Sequence, residues 1–125
     1  MTWFYSKFKE NRMDCIFCKI ADGTIPGDIV FENDKVLAFR DLHAQAPDHI
    51  LIIPRKHIPT VNDFTSEDVL IFGEMGQAAK EIADTLGVSE QGYRLVVNCN
   101  EDGGQTVHHT HMHFLAGRQM TWPPG

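Results

Sequence analysis

The spacing of hydrophobic residues along the chain predicts five strands. Short runs rich in β-branched and aromatic residues predict these strands at 28–32, 36–40, 49–53, 93–98 and 108–115. The polar segment Asn33-Asp34-Lys35 between the first two runs favours a hairpin. With one helix between the third and fourth runs, this order indicates an α+β domain with a five-stranded, mainly antiparallel sheet.

One long helix is predicted between Thr65 and Gly87. Thr65 is a suitable N-cap, acidic residues follow it in the first turn, and Gly87 is a common stop signal. Between them, one apolar face repeats at helical spacing and is expected to pack on the sheet, namely Phe72, Met75, Ala79, Ile82, Ala83 and Leu86. A second, short helix is predicted at 15–21, and 100–104 is predicted to be a loop.

Composition and charge narrow the class of protein. The chain has 125 residues, of which 42% are hydrophobic and 22% charged, as in ordinary globular domains. No internal repeat or linker interrupts it, so we expect one domain over 14–125 and a flexible N-terminal extension over 1–13. The net charge of −6 argues against binding to nucleic acid polymers, whereas a mononucleotide needs only local hydrogen-bond donors.

The sequence also favours a cytoplasmic protein. It has no run of about 18 apolar residues that would predict a membrane span, and residues 1–12 lack the apolar core of a secretory signal. Of its three cysteines, two form a Cys-x-x-Cys pair, which does not favour a disulfide framework. We therefore expect a reducing compartment.

Four of the seven histidines lie within six consecutive positions near the end of the chain. In an extended strand His109, His111 and His113 would form one row, with Met112 and Phe114 on the opposite face. Stability alone does not explain three adjacent imidazoles, which bury little apolar surface and repel one another when protonated. Such a row suits metal binding, acid–base catalysis or nucleophilic catalysis near neutral pH. The alternative is a solvated histidine-rich tract, against which the apolar opposite face argues.

Other segments around the histidine row occur in the order of a known family. These segments are 14–20, 23–26, 46–54, 103–107 and the ending 117–125. With them in register, the chain resembles the histidine-triad (HIT) family of nucleotide-binding hydrolases and transferases, and within it the Hint branch. The resemblance implies the HIT fold, in which the sheets of two protomers usually join in a homodimer.

The resemblance implies a role for each histidine of the row. His111 matches the family's nucleophile, which becomes transiently nucleotidylated. His113 matches the position beside the substrate phosphate, and His109 the position that supports the orientation and tautomer of its neighbours. A neutral imidazole is a competent nucleophile toward phosphorus, and a covalent intermediate divides one hard displacement into two easier steps. The alternative is a set of imidazoles that only satisfy one another in the core.

Contacts to the phosphate and ribose are implied in the same way. Gly104, Gln105 and Thr106 precede the histidine row, where glycine lets backbone N–H groups approach a phosphate. Thr106 keeps the hydroxyl of the serine that is common in the Hint branch. Asn98 matches a contact on the phosphate or ribose side, although it is also a typical strand-ending residue. Asp41 matches the acidic residue that accepts hydrogen bonds from the ribose hydroxyls.

A purine-binding surface is implied by four apolar residues, which core packing would also explain. They are Ile16, Phe17, Ile20 and Phe39. No organic cofactor is expected.

The two cysteines of the Cys-x-x-Cys pair need two more ligands to form a structural zinc site. The resemblance implies His49 and His109, so zinc is predicted at Cys15, Cys18, His49 and His109. Two reduced thiols in the core are the alternative, whereas a thioredoxin-like redox site would need a preceding strand.

The sequence thus favours a hydrolase of purine nucleoside 5′-phosphoramidates that acts through a histidyl-nucleotide intermediate. One alternative is a nucleotide-binding regulatory or scaffold protein with incidental hydrolysis. Another is a metal-dependent hydrolase in which the three histidines are catalytic ligands.

Overall fold

The described part of the chain, residues 14–125 of a computed structural model, is built around one five-stranded sheet. Its strands are β1 (Ile29–Glu32), β2 (Val36–Arg40), β3 (Asp48–Pro54), β4 (Arg94–Val97) and β5 (Met112–Ala116). They lie in the order β1-β2-β3-β5-β4, and each neighbouring pair is antiparallel. The predicted α+β class and five-stranded sheet are confirmed, whereas the extension predicted over 1–13 lies outside the described residues.

In residues 14–125, three α-helices accompany the sheet, namely α1 (Ile16–Ala21), α2 (Val69–Leu86) and the single turn α3 (Asn100–Gly103). Thr65 caps a 3₁₀ turn that leads into α2, because its N–H and hydroxyl both bond to the carboxylate of Asp68. Gly87 ends α2 with a φ of 73°, a left-handed conformation that glycine adopts without strain. The loop predicted at 100–104 is wrong, because residues 100–103 form the helical turn α3. Within residues 14–125, no helix is both long and apolar enough to cross a bilayer.

Both faces of the sheet are covered, which explains the continuous apolar runs of β2 and β3. The buried face of α2 packs on one side, where Phe114 is fully buried. Complete burial of a side chain of this size stabilises the fold by about 1.5–3 kcal/mol. On the other side, Phe17 of α1 packs against Phe39 with ring centroids 5.5 Å apart. The predicted catalytic histidines contact this second layer, His109 and His111 through Phe17 and His113 through its pairing with Leu51.

The strand predicted over 108–115 begins later than expected. Met112 starts β5, so His109 and His111 precede the strand. The cause lies at Thr110, whose backbone N–H and side-chain hydroxyl both donate to the carbonyl oxygen of Ile58, at 2.7 and 2.8 Å. These bonds attach residues 107–111 to the chain that follows β3 instead of extending the ladder. Within β5 the predicted alternation holds, because Met112 belongs to the core under α2 whereas His113 pairs with Leu51 of the opposite layer.

Candidate active site and metal cluster

His111 lies just before β5 and is buried, with its ring 5.1 Å from that of Phe17. Its Nδ1 is 2.8 Å from the carbonyl oxygen of His109. A carbonyl only accepts hydrogen bonds, so this contact assigns the proton to Nδ1 and leaves the lone pair on Nε2. Burial lowers the pKa of His111, while the hydrogen bond to the His109 carbonyl and the charge of Asp41 oppose that shift. The neutral imidazole, which is the nucleophilic form, is thus favoured.

His113 is the last member of a chain of hydrogen bonds. The backbone N–H of Gln45 donates to Nδ1 of His49 at 3.0 Å, so His49 carries its proton on Nε2. That Nε2 lies 2.9 Å from Nδ1 of His113 and donates to it, which places the proton of neutral His113 on its own Nε2. Burial is the main cause that lowers the pKa of His113 to about 4; His111 and His49 lower it further, and Asp41 opposes them.

A second group of side chains, here called the metal cluster, comprises Cys15, Cys18, His57 and His109. Nδ1 of His109 lies 3.2 Å from Sγ of Cys15 and 3.5 Å from Sγ of Cys18. Nδ1 of His57 lies 3.3 Å from Sγ of Cys18 and 3.2 Å from Nδ1 of His109. Two thiolates and two imidazoles around one tetrahedral ion lie about 3.3–3.8 Å apart. The donors of the cluster therefore fit a tetrahedral metal ion.

His109 is oriented as a metal ligand. Its Nε2 lies 2.8 Å from the carbonyl oxygen of Pro54 and donates to it, which leaves the lone pair of Nδ1 directed at the two thiols. Metal-bound histidines commonly donate their second N–H in this way. Burial, followed by the neighbouring imidazoles of His57 and His111, lowers the pKa of His109 to about 4 against the opposing effect of the Pro54 carbonyl. The ring therefore stays neutral, as a ligand must be.

The prediction that His49 joins Cys15, Cys18 and His109 is wrong, because the structure brings His57 to them instead. The antiparallel register explains the error: His49 pairs with Leu115, at the end of β5 that is remote from His109. Ile52 pairs with Met112, so the residues that follow β3 approach those that precede β5. A histidine shortly after β3 is therefore the one that reaches His109. Sequence reasoning missed His57 because this choice requires the strand register.

The three histidines of the row do not converge on one point. Among residues 14–125, His109 belongs to the metal cluster, whereas His113 groups with Asp41 and His49. His111 belongs to neither group. The hydrogen bonds described above already link His113 and His49. The three histidines therefore do not form one metal site together.

The cavity beside His111 and His113, here called the nucleotide cavity, has a volume of about 380 Å³. A small number of polar groups on mostly apolar walls is typical of small-molecule sites. Six of the residues predicted to bind the nucleotide line it, namely Ile16, Phe17, Ile20, Phe39, Asp41 and Thr106. The structure therefore brings the predicted base-binding and ribose-binding residues together beside the two histidines.

Three other predicted nucleotide contacts, Asn98, Gly104 and Gln105, are absent from the described lining of this cavity. Gly104 and Gln105 donate their backbone N–H groups to the carbonyls of Glu101 and Asn100, at 2.9 and 3.0 Å, which closes the turn after α3. These N–H groups therefore do not form the predicted phosphate cradle.

The hydrogen-bonding groups of the Gln105 side chain are also occupied within the loop. It is buried, accepts the N–H of Asn100 at 2.9 Å, and donates to the carbonyls of Pro59 and Val107 at 2.7 and 3.0 Å. Gln105 therefore fixes the loop before the histidine row instead of facing the nucleotide cavity.

Comparison with known proteins assigns the chain to a family. Residues 22–120 match the HIT domain. The chain is 51% identical over 107 residues to the purine nucleoside phosphoramidase of Escherichia coli K12. The matched region covers 86% of this chain and 90% of that protein. The sequence-based resemblance is confirmed, and the chain belongs to the HIT family.

Solved structures agree with this assignment. The crystal structure of a HIT family hydrolase from Legionella pneumophila Philadelphia 1 is 56% identical, with a TM-score of 0.86 over 89% of this chain and 99% of that chain. A histidine triad protein from Clostridium difficile is 45% identical, with a TM-score of 0.86 over 88% of this chain and 96% of that chain.

Proposed function

We propose that this protein hydrolyses purine nucleoside 5′-phosphoramidates to a nucleoside monophosphate and an amine. The observation that carries this proposal is the neutral imidazole of His111, whose Nε2 lone pair is left unprotonated at the wall of the nucleotide cavity. The activity named for the Escherichia coli relative, at 51% identity, supports the same substrate class.

The reaction proceeds in two displacements at phosphorus. In the first, Nε2 of His111 forms a bond to phosphorus while the P–N bond of the substrate breaks, and the departing nitrogen gains one proton to leave as the amine. In the second, water attacks phosphorus and loses one proton, the bond to Nε2 breaks, and the nucleoside monophosphate leaves. His111 returns to its neutral form, so atoms and charge balance over one turnover.

The other residues of the cavity bind and orient the substrate. His113 presents Nε2–H, which donates a hydrogen bond to a phosphate oxygen as negative charge accumulates there. The hydroxyl of Thr106 donates to the same phosphate, and the carboxylate of Asp41 accepts the ribose hydroxyls. Four of the apolar residues of the cavity, Ile16, Phe17, Ile20 and Phe39, enclose the base. Positioning of this kind supplies several kcal/mol of barrier lowering, on the order of 7 kcal/mol in favourable cases.

The metal cluster is proposed to hold zinc, since two thiolates with two imidazoles are a typical structural zinc set. All four tetrahedral positions are then taken by protein, so the ion supplies cross-linking and not a bound water. It would join α1, through Cys15 and Cys18, to the segment that carries His111. The role of His109 in this proposal is to hold that segment.

The decisive experiment is the variant His111→Ala with adenosine 5′-phosphoramidate as substrate. Turnover is expected to fall by several orders of magnitude, while AMP binding, measured by calorimetry, stays close to wild type. Mass spectrometry of quenched wild-type reactions should find the nucleotide on His111. Near-wild-type turnover of His111→Ala would refute the proposal. Binding of AMP without turnover by the wild type would favour a regulatory nucleotide-binding protein.

We also propose a cytoplasmic homodimer. The strand β4 lies at the edge of the sheet, and its Leu95 is 40% exposed. An edge strand that carries exposed apolar side chains is typically covered by another chain. Light scattering at micromolar concentration should give the mass of two chains, and a monomeric mass would contradict this proposal.

A further inference from the structure

A second cavity, with a volume of about 590 Å³, adjoins the nucleotide cavity. Thr106 lines both of them. The other lining residues of the second cavity belong to α3 and the loop before β5, namely Asn100, Glu101, Gly104, Gln105 and His108. Since Thr106 also lines the nucleotide cavity with His111 and His113, the second cavity continues from the end where the phosphorus is expected.

This position matters because phosphorus in the substrate carries two large groups. The nucleoside fills the apolar nucleotide cavity, so the amine must extend elsewhere. In a displacement at phosphorus, the attacking and leaving atoms lie roughly in line, which directs the amine away from His111. The cavity beyond Thr106 meets the nucleotide cavity at this residue, whose hydroxyl is proposed to contact the phosphate.

The polar groups that remain available in the second cavity are acceptors or neutral donors. The side chain of Gln105 and the N–H of Gly104 are occupied by the hydrogen bonds of the loop. The carboxylate of Glu101, the imidazole of His108, the side-chain amide of Asn100 and the hydroxyl of Thr106 remain, and no lysine or arginine of the described residues lines this cavity. Glu101 also forms no ion pair with any basic residue in the described part of the chain. The second cavity therefore has an uncompensated negative charge.

We propose that the second cavity binds the leaving amine and that Glu101 makes the enzyme prefer amines that carry a second positive charge and no carboxylate, such as aliphatic diamines. This inference rests on the proposed phosphoramidate hydrolysis and specifies its leaving group. The contribution of one exposed ion pair is small, on the order of a two- to fivefold change in kcat/KM. We therefore expect kcat/KM to change gradually with the charge on the amine.

The test uses three AMP phosphoramidates that differ only at the far end of the amine. Their amines are 1,4-diaminobutane, which keeps a positive charge, pentylamine, which is neutral, and 5-aminopentanoate, which is negative. At physiological salt, where charges beyond about 8 Å are screened, wild-type kcat/KM should fall in that order. Glu101→Gln should bring the ratio of the diamine to the pentylamine substrate close to one, and Glu101→Lys should invert it.

Asp102→Asn is the matched control, because Asp102 is the next acidic residue of α3 and does not line either cavity. It removes the same charge from the protein and should keep the wild-type order. Equal kcat/KM for the three substrates, or a preference that survives Glu101→Gln, would overturn this inference while leaving the proposed function intact. Failure to cleave any of the three substrates would refute the proposed function itself, and this inference with it.

Discussion

Nε2 of His49 lies 2.9 Å from Nδ1 of His113, and this contact determines which nitrogen of His113 carries its proton. His49 can serve as the donor because its own Nδ1 already accepts the backbone N–H of Gln45. His49, which was predicted from the sequence to be a zinc ligand, therefore positions His113 of the candidate active site. Both nitrogens of His49 are used, so its orientation is fixed from two sides.

His49→Leu is expected to lower kcat/KM for adenosine 5′-phosphoramidate by roughly 10- to 100-fold, because His113 would lose the donor that sets its tautomer. His49→Gln keeps an amide N–H and should retain more activity than His49→Leu. Both variants should retain the zinc content of the wild type, which elemental analysis measures. Unchanged kinetics in His49→Leu, or loss of zinc from it, would contradict this assignment.

His57→Ala is expected to abolish stoichiometric zinc and to lower the melting temperature by roughly 5 °C or more. The variant keeps only three of the four side chains that would complete a tetrahedral zinc site. Elemental analysis and thermal unfolding are the measurements, and wild-type protein treated with chelator should melt near the variant. Full zinc occupancy in purified His57→Ala would show that the ligand set is wrong.

Local patterns in the sequence predict the structure correctly where residues close in the chain determine it. The hairpin around Asn33-Asp34-Lys35 and most of the apolar face of α2 follow from such patterns, although Phe72 of the predicted face is 39% exposed. They do not predict features that depend on contacts between segments distant in the chain. The choice of His57 over His49 depends on the register of β3 against β5. The late start of β5 depends on bonds from Thr110 to Ile58, which lies 52 positions earlier in the chain.

The stability of the protein should fall as the pH decreases from 6.5 to about 4, partly because of His113. Its pKa is lowered from 6.5 to about 4 in the folded state. Above pH 6.5 neither state is protonated, so the contribution is fully present. Between these values only the unfolded state binds the proton, which costs at most about 1.4 kcal/mol per pH unit. Below about 4 both states bind it, and nothing further is lost.

Urea unfolding of the wild type and His113→Asn at several pH values between 7.5 and 4.5 would measure this effect. The free energy of unfolding should fall less steeply with decreasing pH in the variant. His113 lies outside the metal cluster, so loss of zinc at low pH affects both proteins and does not explain a difference in slope. Identical slopes would contradict the assignment.

Thr110→Val tests the attachment of the segment before β5. The substitution keeps the shape of the side chain and the N–H bond to Ile58, but removes the buried hydroxyl that donates at 2.8 Å. The free energy of unfolding should decrease by about 1 kcal/mol. Chemical denaturation measures it, with Thr121→Val at an exposed position as the control that should change little. An unchanged midpoint for Thr110→Val would show that this bond does not hold the segment.

The late start of β5 separates two regions of the chain that differ in how their amide protons exchange with solvent. Amides of β5 lie between β3 and β4, so their exchange requires opening of the sheet. Residues 107–111 lie outside that ladder and depend on Ile58 and the metal cluster, so they are able to open while the sheet remains intact. His111 lies at the boundary between the two regions. Its exchange protection therefore reports on the attachment of the active site, separately from the stability of the whole fold.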